Sequence, residues 1–263
     1  MAQTSPSEAA AYGVLGVGAI GAAIVTGLCE GVGDPPKVLL SPRSAGIAAG
    51  LAQRFATVEV AADNQAVVDG ANVVIACVRP QVAQSVLAEL RFPADRTVIS
   101  AIAGVSVEAL QPLVAPAADI ARVIPLPSVA RREGTTPVHP PNAAATALFD
   151  RLGATIEIAD ATTFEAFSAS TATIAAHFAY LNAIAEWLAR QGVPGPAATR
   201  YVASIFAGLA EPTLSGESFE QLAREHATPG GINEQLRNDL EQAGAFDSVS
   251  RGLQRVLDRL NAT

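Results

Sequence analysis

The chain has 263 residues, with 17 Lys and Arg against 25 Asp and Glu, a formal charge of −8. Half of the residues are hydrophobic and 16% are charged, which excludes intrinsic disorder and predicts a real apolar core in one or two domains. The acidic balance argues against a nucleic-acid binder, since no global positive field attracts phosphate backbones.

The small, polar residues 1–11 read as a flexible tail. From residue 12 to about 159, short apolar runs alternate with helical stretches. Strands are predicted at 12–17, 37–40, 57–60, 72–78, 97–102 and 120–125, with a later pair at 135–138 and 155–158. The run from Asn72 to Val78 is continuously apolar after its first residue, the pattern of a parallel strand covered on both faces. Helices are predicted at 19–30, 44–54, 64–69, 80–90, 106–113 and 143–151. This alternation reads as a Rossmann-type α/β domain over 12–159. Residues 13–29 carry no charge, yet the 17-residue run is short and glycine-rich, so it reads as a buried strand and helix and not as a membrane span. No partnership with a membrane is expected.

After Asp160 no strand-like run appears, and 160–263 reads as an all-helical domain. One long helix is predicted over 161–191, followed by helices at 196–209, 218–226, 229–244 and 246–260. The long helix is apolar nearly all round, with His177 and Glu186 as interruptions; a helix of that kind needs cover on every side. A domain of about 100 residues cannot supply it alone, which predicts a homodimer or higher oligomer. His177 is read as a satisfied core histidine.

Cys29 and Cys77 are the only cysteines and form no metal-ligand pattern, so no metal is expected and a reducing, cytoplasmic setting is. Lys37 is the only lysine.

Gly16-Val17-Gly18-Ala19-Ile20-Gly21 is GxGxxG between a predicted strand and helix. The first glycine permits the turn, the second lets a pyrophosphate approach, and the third lets helix pack on strand. The start of the helix offers free N–H groups and a positive dipole end. A tightly packed strand–helix turn is the other reading. An NAD site places a carboxylate roughly 20 residues further on. Here the second strand ends in Ser41-Pro42-Arg43-Ser44, and no Asp or Glu lies between Pro36 and Thr57. Two hydroxyls and a guanidinium suit a 2′-phosphate, so NADP(H) is the expected cofactor.

Further on, Thr228-Pro229-Gly230-Gly231-Ile232-Asn233 reads as a helix start, with Thr228 as N-cap and Pro229 at the first helical position. Free N–H groups of Gly230 and Gly231 would bind a substrate carboxylate; ordinary capping is the alternative. Glu165 has no pairing visible from sequence, and Arg131 and Arg132 read as solvated.

These motifs, in this order, resemble the pyrroline-5-carboxylate reductase family nearly end to end. Ser41–Ser44 is similar to its Ser-Asn-Arg-Thr turn, and Asn64 matches an adenosine-side asparagine. Arg79-Pro80-Gln81 stands for its Lys-Pro-Gln, Ser100-Ala101-Ile102-Ala103-Gly104 for its Ser-Ile-Ala-Ala-Gly, and Arg122-Val123-Ile124-Pro125 for its Arg-Val-Met-Pro. Thr228-Pro229-Gly230-Gly231 is similar to its Thr/Ser-Pro-Gly-Gly.

The resemblance implies a Rossmann domain plus an interlocking helical dimerisation domain, and reduction of a cyclic imine by NAD(P)H to give proline. It implies cofactor contacts from Gly16, Gly18, Ala19, Ile20, Gly21, Ser41, Arg43, Ser44, Asn64, Val78, Arg79, Pro80 and Ala103. It implies substrate contacts from Ser170, Thr228, Gly230, Gly231 and Asn233, with Asn233 and Thr171 as catalytic residues. The chain departs from the family where substrate binds. Leu126 replaces an asparagine, Ala169–Ile174 replaces Gly-Ser-Gly-Pro-Ala-Tyr, and Ile232-Asn233 replaces two threonines. Reduction of another imine or a carbonyl is therefore the first alternative function, and a non-catalytic NADP-sensing dimer the second. Carbonyl-reducing relatives use a lysine on the helical domain, and Lys37 is not there.

Overall fold

The computed structural model describes residues 12–262; the expected tail at 1–11 lies outside the described residues. By its internal contacts the described chain divides into two compact units, 12–168 with 260–262, and 169–259.

The first unit is built on one eight-stranded sheet. In chain order its elements are β1 (Tyr12–Leu15), α1 (Ala19–Cys29), β2 (Val38–Leu40), α2 (Ala45–Arg54), β3 (Val58–Val60), α3 (Asn64–Gly70), β4 (Val73–Ala76) and α4 (Pro80–Ala88). Then follow β5 (Thr97–Ser100), α5 (Val107–Val114), β6 (Asp119–Val123), β7 (Thr135–His139), α6 (Ala143–Asp150), β8 (Ala154–Glu157) and α7 (Ala161–Ser170). A 3₁₀ helix, Pro127–Arg131, separates β6 from β7.

The strand order is β3-β2-β1-β4-β5-β6-β7-β8, parallel except between β6 and β7. β1 sits between β2 and β4, with Val14 beside Leu40 on one side and Ile75 on the other. Successive residues face opposite layers: Val14, Ile75 and Ile99 join one apolar cluster, and Leu15, Val74 and Val98 the other. Both faces are thus buried, which is why these runs are continuously apolar.

His139 ends β7 and is buried, its Nδ1 2.9 Å from the Ile158 carbonyl oxygen and its ring 5.4 Å from that of Phe164. Arg132 is not a merely solvated arginine: its guanidinium donates to the carbonyls of Gly27 and Glu30 at 3.1 and 2.8 Å, closing the C-terminal end of α1.

Where one helix over 161–191 is expected, there are two, α7 and α8 (Thr173–Arg190). At the break the Thr173 hydroxyl donates to the Ser170 carbonyl, and Ala172 N–H turns back to Ala169. Clustered Ser and Thr side chains compete with the helical ladder, which apolar periodicity does not register.

The second unit continues with α9 (Gly195–Ala207), α10 (Ala210–Thr213), α11 (Phe219–Glu225), α12 (Ile232–Gln242) and α13 (Ala245–Asn261). α8 packs on α9 through edge-on ring contacts of Tyr180 and His177 with Phe206, around buried Ala198 and Val202. No residue of α8 is buried within the single chain, and Phe178 and Trp187 are exposed. His177 is likewise exposed in the single chain, so any core role for it depends on the cover that α8 receives from a partner. No described helix is long and apolar enough to cross a membrane.

Candidate functional site

In an open α/β sheet, ligands bind at the carboxyl ends of the strands, where the strand order reverses. That point here is the crevice between β1 and β4. Gly16 turns the chain with φ +90°, and a Cβ there would stand 2.8 Å from the Val78 amide nitrogen. Gly21 lies in the first turn of α1, and a Cβ on it would meet the Gly16 carbonyl at 2.7 Å. Gly18 is the opposite case: a Cβ there would meet nothing within 4 Å. The outer two glycines are demanded by the protein's own packing, whereas the middle one keeps space open in front of α1. Ala19, Ile20 and Gly21 supply the first N–H groups of the helix, ahead of its first bond from Ala22 to Gly18. This geometry fits a pyrophosphate.

The other cofactor-side residues lie on neighbouring loops at the same edge of the sheet. Arg43 is exposed after β2 and has no hydrogen bond or ion pair among the described residues. Ser44 is the N-cap of α2 but makes no side-chain capping bond. An unengaged cation beside an uncapped helix start fits a 2′-phosphate. Ser41 is buried, and its Oγ accepts the Gly16 N–H at 2.9 Å, which fastens the glycine turn to β2 and leaves its own O–H free to donate. Asn64 opens α3, whose cap is Asp63. Val78 follows β4, Arg79 is the N-cap of α4 with Pro80 at its start, and Ala103 is exposed after β5. Cys77, in the β4 loop, is half-buried, and desolvation pushes its thiol up to about 12. We expect Arg43→Ala to weaken NADPH binding by about tenfold, on the scale of one charge-assisted hydrogen bond. NADH binding stays within about twofold, so paired titrations with the two cofactors check the assignment.

Beside the start of α4 a cavity of about 600 Å³ is lined by Pro80, Gly104, Ser106, Glu108, Arg122 and Glu165. Arg122, reaching from β6, pairs with Glu165 of α7 at 2.5 Å and lies 4.7 Å over the Phe164 ring. Bonds to its own backbone N–H and to Ser106 hold the exposed Glu108 carboxyl below the usual carboxylate range, helped by His139 and Arg122. Sequence reasoning missed the Arg122–Glu165 pair, whose members are 43 residues apart.

The substrate-side residues Ser170, Thr171, Thr228, Gly230, Gly231 and Asn233 lie in the second unit or at its margin. Ser170 ends α7, and Thr171 stands in the break before α8. The start of α12 departs from the sequence reading. The helix begins at Ile232, with Gly231 as N-cap in place of Thr228. Neither glycine N–H is free: Gly230 donates to Glu234 Oε2 at 2.8 Å and Gly231 to the Thr228 carbonyl at 2.8 Å. Asn233 Nδ2 donates to the His226 carbonyl at 3.0 Å. The His226 ring sits 2.8 Å from the Leu222 carbonyl, in a capping role at the end of α11. Glu234 escaped the sequence reading, although a glutamate three residues after an N-cap is a capping-box signal. No group of three or more His, Cys, Asp or Glu suited to a metal occurs among the described residues.

A glycine cradle at the switch point of a Rossmann sheet, joined in sequence to a helical unit without a core of its own, defines a dinucleotide-dependent oxidoreductase that associates with itself. Residues 11–104 match the family model described as NADP oxidoreductase, coenzyme F420-dependent, and residues 161–262 match the pyrroline-5-carboxylate reductase dimerisation family. A pyrroline-5-carboxylate reductase of Corynebacterium melassecola is 26% identical over 94% of this chain and 96% of its own. Pyrroline-5-carboxylate reductase 3 of Xenopus laevis is 25% identical over 97% and 96%. A solved 1-pyrroline-5-carboxylate reductase from Streptococcus pyogenes superposes with a TM-score of 0.80, at 25% identity over 98% of this chain and 100% of the other. Residues 161–262 thus match the dimerisation domain of the pyrroline-5-carboxylate reductases, and the chain as a whole is similar to members of that family.

Proposed function

We propose that this protein is an NADPH-dependent reductase of cyclic imines, with pyrroline-5-carboxylate, giving proline, as the reference substrate. The observation that carries the reading is the open space at Gly18, flanked by Arg43 without a partner and by an uncapped Ser44. The matched families and the names of the relatives support it. Gly16, Gly18 and Gly21 shape the pyrophosphate cradle, and Arg43 with Ser44 receives the 2′-phosphate. Asn64, Val78, Arg79, Pro80 and Ala103 complete the cofactor side.

When bound, NADPH supplies a hydride to the imine carbon while the protonated nitrogen takes the C=N electron pair and becomes an amine. Because the nitrogen already carries its proton, the chain has to supply orientation and charge placement more than a strong acid. Asn233 can do so, because its Oδ1 stays available to accept from an N–H once Nδ2 is tied to His226. Lysine-assisted carbonyl reduction suits the chain less: Lys37 precedes β2, at the strand end away from the glycine loop, and pairs with Glu59 at 3.7 Å. The exposed rings of α8 are covered by a second copy of the chain, and the protein works in the cytoplasm.

The test is NADPH oxidation by the purified protein with pyrroline-5-carboxylate and with 1-pyrroline, the same ring without the acid. Turnover of either, with the amine as product, is the expected result. Tight NADPH binding without turnover of any imine sinks the imine-reductase reading and leaves carbonyl reduction or the NADP-sensing dimer.

A further inference from the structure

We infer that the cavity beside the starts of α4 and α5 is a binding site for a small protonated amine with a hydrocarbon body, separate from the glycine cradle. The inference goes beyond the imine-reductase reading and stands whatever the protein reduces.

The cavity measures about 600 Å³, which is room for a small organic molecule, and residues of the first unit form all of it. Much of its wall is apolar: Ala83 from α4, Val105 before α5, Val107, Pro112 and Leu113 from α5, and Leu260 from the end of α13. The charges in the wall do not balance. Arg122 is the only cation that lines it, and the 2.5 Å contact with Glu165 already neutralises that guanidinium. The Glu108 carboxylate is left over, and bonds from its own backbone N–H and from Ser106 keep it ionised. Asp160, next in sequence to the lining residue Ala161, is a further acid, held below the usual carboxylate range by hydrogen bonds from Thr163.

His139, which also lines the cavity, adds an acceptor. A carbonyl oxygen only accepts, so beside Ile158 the Nδ1 of the neutral ring carries the proton. Its Nε2 is then an acceptor with no partner among the described residues. Surplus carboxylate, a ring-nitrogen acceptor and apolar walls together suit an ammonium group on a hydrocarbon frame. An anion of the same shape meets uncompensated acids, and a neutral ring gains only the apolar contact. Under the imine-reductase reading, the ligand belongs to the chemical class of the product.

The experiment is a calorimetric titration at about pH 8 with cyclopentylamine, cyclopentanol and cyclopentanecarboxylate, one ring in three charge states. The amine is expected to bind about tenfold more tightly than the alcohol, and the acid not at all. Two variants locate the site. Glu108→Gln keeps an acceptor at the start of α5 without the charge, and is expected to weaken the amine by about threefold to tenfold while leaving the alcohol alone. Ala109 is exposed on α5 and lines the cavity, so Ala109→Trp fills the space from outside the core and abolishes amine binding. A thermal melt shows whether that variant is folded; if it is not, Glu108→Gln decides alone. No binding of the amine, an alcohol bound as tightly as the amine, or amine binding that survives in both variants overturns the inference. Each of these outcomes leaves the imine-reductase reading standing, because NADPH oxidation tests it separately.

Discussion

Gly18→Ala is expected to leave folding stability within about 1 kcal/mol of the unaltered protein while weakening NADPH binding by tenfold or more. The backbone at Gly18, φ −89° and ψ −159°, is open to any residue, and an added methyl group touches no atom of the chain. What it meets is the pyrophosphate that the cradle is shaped to receive. Gly21→Ala has the opposite profile. Its methyl would press on the Gly16 carbonyl at 2.7 Å and on Val14 Cγ1 at 3.2 Å, forcing α1 away from β1. Such overpacking costs about 1–3 kcal/mol, and it disorders the turn as well, so stability and binding fall together. Thermal melts and NADPH titrations of the two variants check this. If Gly18→Ala binds NADPH as the unaltered protein does, the pyrophosphate does not lie over that glycine.

Glu165→Ala is expected to destabilise the sheet unit by about 3–5 kcal/mol, the cost of leaving a buried charge without its partner. Arg122 is 4% exposed and Glu165 13%, so bulk water screens the pair poorly. The pair is also imperfectly served, since Arg122 Nε and Glu165 Oε2 are buried without hydrogen-bond partners. Removing both charges therefore costs far less than removing one. The double variant Arg122→Met, Glu165→Leu is expected to recover most of the loss, while Glu165→Gln falls between. Urea unfolding of the four proteins reads this out. A Glu165→Ala variant within about 1 kcal/mol of the starting stability shows that Arg122 finds another partner.

The pair matters because it ties α7 to β6, with Phe164 held under the guanidinium by a cation–π contact. The sequence showed Arg122 inside a motif and Glu165 as one acid among several. Which acid met which base depended on how a strand and a helix 43 residues apart are packed. The same holds for Ser41. Its place after β2 made it a natural phosphate ligand, and the pairing of β2 with β1 also brings its hydroxyl to Gly16, 25 residues earlier. A hydroxyl at a strand end can serve a ligand or a neighbouring loop, and the sequence does not distinguish the two.

By itself, the sequence determined the Rossmann sheet, the helical unit after it and the glycine cradle. Each is written in local terms: continuous apolar runs for buried parallel strands, a 3.6-residue rhythm for helices, and glycines where a turn or a close approach admits nothing larger. The tertiary structure alone decided the break between α7 and α8, the closure of α1 by Arg132, and the pairing of the Gly230 and Gly231 N–H groups with Glu234 and Thr228. The reason is physical. A polar group buried or crowded by folding takes whichever partner its surroundings supply, and that partner follows from the packing of whole elements and not from the residues beside it in the chain.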